Sequence, residues 1–210
     1  VTAITVQHTL GVSAVHSIDP AIVEAQARAV LEDIGADAIK IGMLGDAAMV
    51  ETVARLLDAA AGVPAVIDPV MIAKGGASLL AAAAVAALRD RLIPQAALLT
   101  PNAPEAAALT GLPVETTDDL RRAGEALLVL GAQAVLMKGG HVAGSQVIDI
   151  LITPCGETLF EAARMESRHT HGTGCTLASA CATGLAQGLS LESAAARAWG
   201  SVQEAIVRAP

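Results

Sequence analysis

Short apolar runs return along this chain at intervals filled by helix-periodic segments, and that alternation limits the possible folds more than any other feature. Val1–Val6, Ala38–Met43, Val63–Ile67, Ala97–Thr100 and Ala134–Met137 are rich in Val, Ile and Leu and nearly free of charge. Runs of this kind read as strands buried on both faces. Between them lie helical segments with start and stop signals. Asp19-Pro20 opens a helix that carries Val23, Ala27, Val30, Leu31 and Ile34 and stops at Gly35. Asp46 caps the next, which carries Val50, Val53, Leu57 and Ala60 and ends at Gly62. An Ala-rich helix follows over about Ala81–Leu92, then a short one over Pro104–Leu109, then one capped by Thr117 that ends at Gly131. Strands alternating with such helices predict an α/β fold, a three-layer α-β-α sandwich around a mostly parallel sheet. The alternation lapses late: Val147–Ile152 and Thr158–Phe160 predict an antiparallel hairpin, and helices over Cys175–Gln187 and from Leu191, after a Ser190 cap, close the chain.

Ligands of parallel α/β sheets lie off the carboxyl ends of the strands. Gln7, Met43, Asp68, Val70, Thr100, Asn102 and Lys138 are predicted there, with Glu105 just inside the following helix. The stretch His169-Thr170-His171-Gly172-Thr173-Gly174-Cys175 faces the same region. Glycines on either side of Thr173 let backbone N–H groups approach a bound group, and the helix that starts there adds unpaired N–H groups and the positive end of its dipole. This is a seat for an anion, most often phosphate, with a nucleophile-type side chain, Cys175, at its lip. An acid pair, a lysine and an anion seat in one cleft predict a phosphate-handling active site.

The remaining composition removes other classes. With 210 residues, 53% apolar, the chain is expected to form one domain over 1–210. A net charge of −8 argues against nucleic acid as partner, and no Tyr, one Trp and one Phe leave no base-stacking platform. Three cysteines, Cys155, Cys175 and Cys181, in an odd set without paired spacing suit a reducing cytoplasm, and no secretory leader is expected, since Val1 opens directly into a strand-like run. His169–Leu191 has no charged residue, yet four glycines and Gln187 make it too polar for a membrane span. His169, His171 and Cys175 lack a fourth partner for zinc. Lys is confined to positions 40, 74 and 138 against ten Arg; Lys40 is expected to be a solvated strand end.

TAITVQHTLGVSAVH, DAIKIGMLG, VIDPVMIAKGG, LLTPNAPEAAALTG, AVLMKGGH and THGTGCTLASA, in this order over almost the whole length, resemble the ribokinase-like superfamily. The resemblance is closest to the hydroxymethylpyrimidine/phosphomethylpyrimidine kinases of thiamine biosynthesis. It implies ATP-dependent phosphorylation of a hydroxymethylpyrimidine and of its monophosphate, with ATP and Mg²⁺ as cofactors and a homodimer as the assembly. Position by position, Gly172, Thr173 and Gly174 match the anion hole, and Cys175 the place of a catalytic base. Gln7, Met43 and Val70 match the pyrimidine pocket, and Lys138, Asn102 and Thr170 the nucleotide site. Asp68 and Glu105 match the metal region, and Lys74-Gly75-Gly76 a flap. His8 stands where the family has Asn. The family's opening strand with its Gly-Ser-Asp loop and its closing Gly-His-Gly segment have no counterpart, so an N-terminal strand and a C-terminal tail are expected to be lacking.

The helix N-terminus is expected to lower the Cys175 pKa, so that the sulfur takes the proton of the acceptor hydroxyl. Cys155 and Cys181 are expected to be structural, and Trp199 to pack at a helix or subunit interface. A pyridoxal kinase of the cysteine-containing type, a hydroxyethylthiazole kinase and a non-catalytic sensor of pyrimidine phosphate are the competing readings.

Overall fold

The computed structural model describes residues 1–9, 11–71, 82–167 and 170–209. The predicted flap, Lys74-Gly75-Gly76, and His169 lie outside them. A sheet in the order β3 (Ile39–Ile41), β4 (Ala65–Ile67), β5 (Leu98–Leu99), β6 (Val135–Met137), β7 (Gln146–Thr153), β8 (Gly156–Ala163) forms the middle layer. Strands β3 to β6 run parallel; β7 and β8 return antiparallel. One face buries Ile41, Ile67, Leu99, Val135 and Met137 against α2 (Ala47–Ala59), α4 (Ala103–Thr110) and α5 (Thr117–Val129). The other buries Val66, Leu98, Leu136 and Leu151 against α6 (Thr173–Ala186) and α7 (Leu191–Val207). This is the three-layer, mostly parallel sandwich of ribokinase-like proteins.

Most helices start where a short polar side chain accepts an otherwise unpaired N–H. Asp19 accepts from Ala21 at 2.8 Å before α1 (Pro20–Asp33), and Asp46 from Met49 at 2.9 Å before α2. Ser190 does the same for α7. The cap of α5 is Thr116, one residue earlier than the sequence suggests, because Asp119 reaches back to the Thr116 N–H and closes a capping box there. The Ala-rich segment forms α3 (Ala82–Ala87) and then widens into a π-helical turn over Leu88–Leu92, whose apolar ends are both buried.

The first strand departs from expectation. β1 (Ala3–His8) pairs antiparallel with β2 (Gly11–Ser17) in a separate two-stranded ribbon, and Ile4 and Val6 are 56% and 60% exposed. A β-branched run specifies extended backbone, but it does not say which surface the strand will cover. The ribbon is moored where Thr2 Oγ1 donates to the Met43 carbonyl at 2.7 Å. α1 also buries less than its pattern suggests: of the five residues predicted on one face, only Val23 is in the core, and Val30 and Ile34 face outward.

Candidate active site

Asp68 directly follows β4, Thr100 follows β5 and Lys138 follows β6, and these three side chains meet. Lys138 Nζ donates to Asp68 Oδ1 at 2.8 Å and lies 3.9 Å from Glu105 Oε2. Thr100 Oγ1 donates to the same Asp68 oxygen at 3.3 Å. Asp68, Thr100 and Glu105 are buried, and the Lys138 side chain is 14% exposed. Burial works against the Lys138 charge, but Asp68 and Glu105 outweigh it and hold the ammonium above its usual pKa. Burial pushes the Glu105 carboxyl up, and nearby Asp68 adds to this against the pull of Lys138.

Glu105 also has a structural task. Its Oε2 accepts from the Asn102 N–H at 2.8 Å while Asn102 Oδ1 accepts from the Glu105 N–H at 2.9 Å, a reciprocal cap on α4. Two buried carboxylates beside one lysine leave an excess negative charge of hard oxygen donors. Such a set suits Mg²⁺, which takes one or two carboxylates and completes its shell with water and phosphate oxygens. Among the described residues no group of three or more His, Cys, Asp or Glu could hold a metal ion on its own.

The start of α6 faces this cluster. Gly172 adopts φ +82°, a left-handed conformation suited to glycine, and no side chain caps the helix. The first helical bond runs from the Thr176 N–H to the Gly172 carbonyl at 2.9 Å. The N–H groups of Gly174 and Cys175 therefore have no acceptor within the helix or from a capping side chain. Thr173 Oγ1 donates back to the Thr170 carbonyl at 2.9 Å and braces the turn. A methyl group at Gly174 would stand 3.1 Å from Lys138 Nζ, so the open helix end and the lysine share one space.

Cys175 is exposed at the lip of that space, and its thiol is held above, not below, the usual cysteine pKa. Partial desolvation is the first cause, and the nearby negative charge of Asp68 is the second; Lys40 and Lys138 pull the other way. The helix dipole alone predicts the opposite sign; desolvation, with the Asp68 charge added to it, overrides the dipole. Cys181 is buried in the core and its pKa is pushed up to about 12. Cys155 sits in the exposed β7–β8 turn.

The other predicted residues are more dispersed. Met43 and Val70 are half-buried just beyond the ends of β3 and β4. Gln7 is exposed near the tip of the β1–β2 ribbon, opposite Val12, and no described contact ties it to the Asp68–Lys138–Cys175 group.

Asp149, not marked by the sequence reading, supports the site from behind. It is buried in β7; Oδ1 accepts from the Gly139 N–H at 2.7 Å and Oδ2 from Trp199 Nε1 at 3.1 Å. Trp199 also stacks on Phe160 with centroids 5.8 Å apart, so it packs inside the subunit. Gly139 has no room for a side chain, since a Cβ would lie 1.9 Å from the Ile148 carbonyl oxygen. The residue after Lys138 is thereby pinned. Arg164 fastens the next turn by donating to the carbonyls of Gly140, Val142 and Gly144. Beside this turn opens a cavity of about 200 Å³ with an aliphatic wall from Leu120, Val142 and Ile148.

The sequence profile of the phosphomethylpyrimidine kinase family matches residues 1–210. The chain belongs to that family. It is 50% identical over 190 residues to a hydroxymethylpyrimidine/phosphomethylpyrimidine kinase of Streptomyces coelicolor, covering 90% of this chain and 70% of that one. The crystal structure of phosphomethylpyrimidine kinase from Clostridium difficile superimposes with a TM-score of 0.86 at 38% identity, over 98% of this chain and 84% of the other. Staphylococcus aureus pyridoxal kinase, solved in complex with pyridoxal, gives a TM-score of 0.88 at 30% identity, over 99% and 75%. The chain is a kinase by family.

Proposed function

We propose that this kinase transfers the γ-phosphoryl group of ATP to 4-amino-5-hydroxymethyl-2-methylpyrimidine and then to the resulting monophosphate, as a step of thiamine biosynthesis. The observation that carries this reading is the uncapped start of α6 opposite a buried Asp68–Lys138 pair. An open set of N–H groups beside a fixed ammonium is suited to a phosphoryl group whose charge grows over its outer oxygens during transfer. The nucleotide lies toward the aliphatic cavity beside Gly139, with Asn102 and Thr170 near its phosphates and Lys138 countering their charge. Mg²⁺ held by Asp68 and Glu105 would neutralise phosphate charge and offset the Asp68 field that keeps the Cys175 thiol protonated. Gly172, Thr173 and Gly174 receive the transferring group. Cys175 accepts the proton of the acceptor hydroxyl, and Met43, Val70 and Gln7 line the pyrimidine side.

The test is ADP release from ATP with the pyrimidine alcohol as acceptor. Sustained turnover is expected, and Cys175→Ala is expected to lower kcat by about 10²-fold or more with ATP affinity retained. Tight pyrimidine-phosphate binding without ADP release would make the chain a sensor instead. The Staphylococcus aureus likeness favours pyridoxal as the acceptor to run in parallel; kcat/KM higher for pyridoxal than for the pyrimidine would reverse the assignment.

The proposed assembly is a homodimer in the cytoplasm. Ile4, Val6 and Val15 are exposed on a two-stranded ribbon that has little core of its own. No described helix is long and apolar enough to cross a membrane. Sedimentation equilibrium of wild type and Val6→Lys checks the assembly, the variant being expected to shift to monomer.

A further inference from the structure

Three lysines occur in the sequence, and the two within the described residues sit at the carboxyl ends of parallel strands in opposite circumstances. Lys138 is matched by two carboxylates. Lys40, on β3, has no carboxylate partner among the described residues, although it is half-buried. The sheet register fixes the side it faces: Lys40 pairs with Val66, which packs under α6 and α7, while its neighbours Ile39 and Ile41 face the opposite layer. Gly42 lies two residues on and so on the same face. A Cβ there would stand 2.6 Å from Lys40 Nζ, so the ammonium folds forward over Gly42, beyond the strand end. Strand β3 itself lies against α6, whose third residue is Cys175. A cation with no carboxylate partner among the described residues thus stands at the strand end beside α6, on the side proposed above for the acceptor, while Lys138 is already matched by Asp68 and Glu105.

The two proposed transfers make different demands there. In the first, the acceptor hydroxyl oxygen bonds to the γ-phosphorus, the bond from that phosphorus to the β-bridging oxygen breaks, ADP leaves with the electron pair, and the hydroxyl proton goes to a base. In the second, the attacking oxygen belongs to a phosphate dianion. There is no proton to remove, but up to two more negative charges must be held beside the transferring group. We infer that Lys40 holds the phosphate of the phosphorylated acceptor and so determines whether the second transfer takes place. This rests on the function proposed above. Cys175 and Lys40 then divide the two rounds: the sulfur serves the alcohol, and the ammonium serves the monophosphate.

The experiment measures kcat and KM for both acceptors, the pyrimidine alcohol and its monophosphate, in wild type, Lys40→Met, Lys40→Gln and Lys40→Arg. Loss of the cation is expected to lower kcat/KM for the monophosphate by about thirtyfold or more, mostly through KM, and that for the alcohol by about threefold or less. Lys40→Arg is expected to recover part of the monophosphate activity. Retained alcohol turnover shows that each variant is folded. A parallel loss of both activities in Lys40→Met and Lys40→Gln, or an unchanged ratio between acceptors, overturns the inference and leaves the proposed kinase standing. A wild type that uses the alcohol but not the monophosphate also overturns it. A wild type that uses neither acceptor refutes the kinase assignment itself.

Discussion

Helices α4 and α6 both begin at the carboxyl edge of the sheet, and they begin in opposite ways. At α4, Asn102 and Glu105 each accept the other's N–H, and Lys138 lies against Glu105 Oε2. At α6, Gly172 contributes no side chain, and the N–H groups of Gly174 and Cys175 have no acceptor among the described residues. In a chain that caps α1, α2, α4, α5 and α7 with Asp, Asn, Thr or Ser, the open end stands out as a place kept for something that is not protein. The closed end holds the frame, and the open one is the end proposed to meet the ligand.

The sharpest way to break this contrast is at the residue both ends share. Lys138→Met leaves Asp68 buried with, among the described residues, only the Thr100 hydroxyl as side-chain partner, and a cost of about 3–5 kcal/mol in unfolding free energy is expected by chemical denaturation. A loss under 1 kcal/mol would mean that Asp68 is readily protonated or hydrated and that the pair does not hold the frame. At the open end, Gly174→Ala is expected to cut kcat about tenfold or more by crowding the seat and Lys138 Nζ. The same change should leave stability equal or raise it by about 0.5–1 kcal/mol, since alanine favours the helix. Ser190→Ala removes the α7 cap and should do the reverse, lowering stability by about 1 kcal/mol with turnover retained. Thermal melts and steady-state rates on the two variants side by side decide whether open and closed ends differ as described. Unchanged turnover in Gly174→Ala would remove α6 from the site.

The smallest effect concerns the thiol. Only the thiolate is alkylated, so the rate of iodoacetamide reaction at Cys175 follows its ionised fraction. Because desolvation and Asp68 hold the Cys175 pKa above the usual value of 9.0, the rate in the ligand-free protein should still be climbing at pH 9. A plateau below pH 8 would restore the dipole-lowered thiol. Asp68→Asn, which removes a negative neighbour, is expected to move the midpoint down.

What the sequence disclosed and what it hid follow one physical line. The alternation of apolar runs with capped helices is a local signal, so the parallel order of β3 to β6 and the late hairpin were legible. The placement of Val1–Val6 depends on a surface elsewhere, and no local pattern reports that. The convergence of Asp68, Glu105 and Lys138 followed from the rule that strand ends share an edge. Lys40, expected to be a solvated strand end, is half-buried, and Asp149 was not marked; both misreadings have a common reason, since each is a lone charge inside an apolar strand, Lys40 in AIKI and Asp149 in VIDIL. A charge placed there faces desolvation unless something answers it, and that was the available signal. For Asp149 the answer is Gly139 and Trp199. The sign of the Cys175 shift was out of reach because desolvation by the folded surroundings, and then a carboxylate more than a hundred positions away in the chain, push it upward.

Trp199 is the chain's only tryptophan, and there is no tyrosine. Its indole N–H ends on the same carboxylate that holds the backbone of Gly139, next to Lys138. Ultraviolet emission from the unlabelled protein therefore comes almost wholly from one ring, wired through a single carboxylate to the turn beside Lys138. If nucleotide binds there as proposed, the molecule carries its own optical gauge of the event, readable in a stopped-flow cell without a dye.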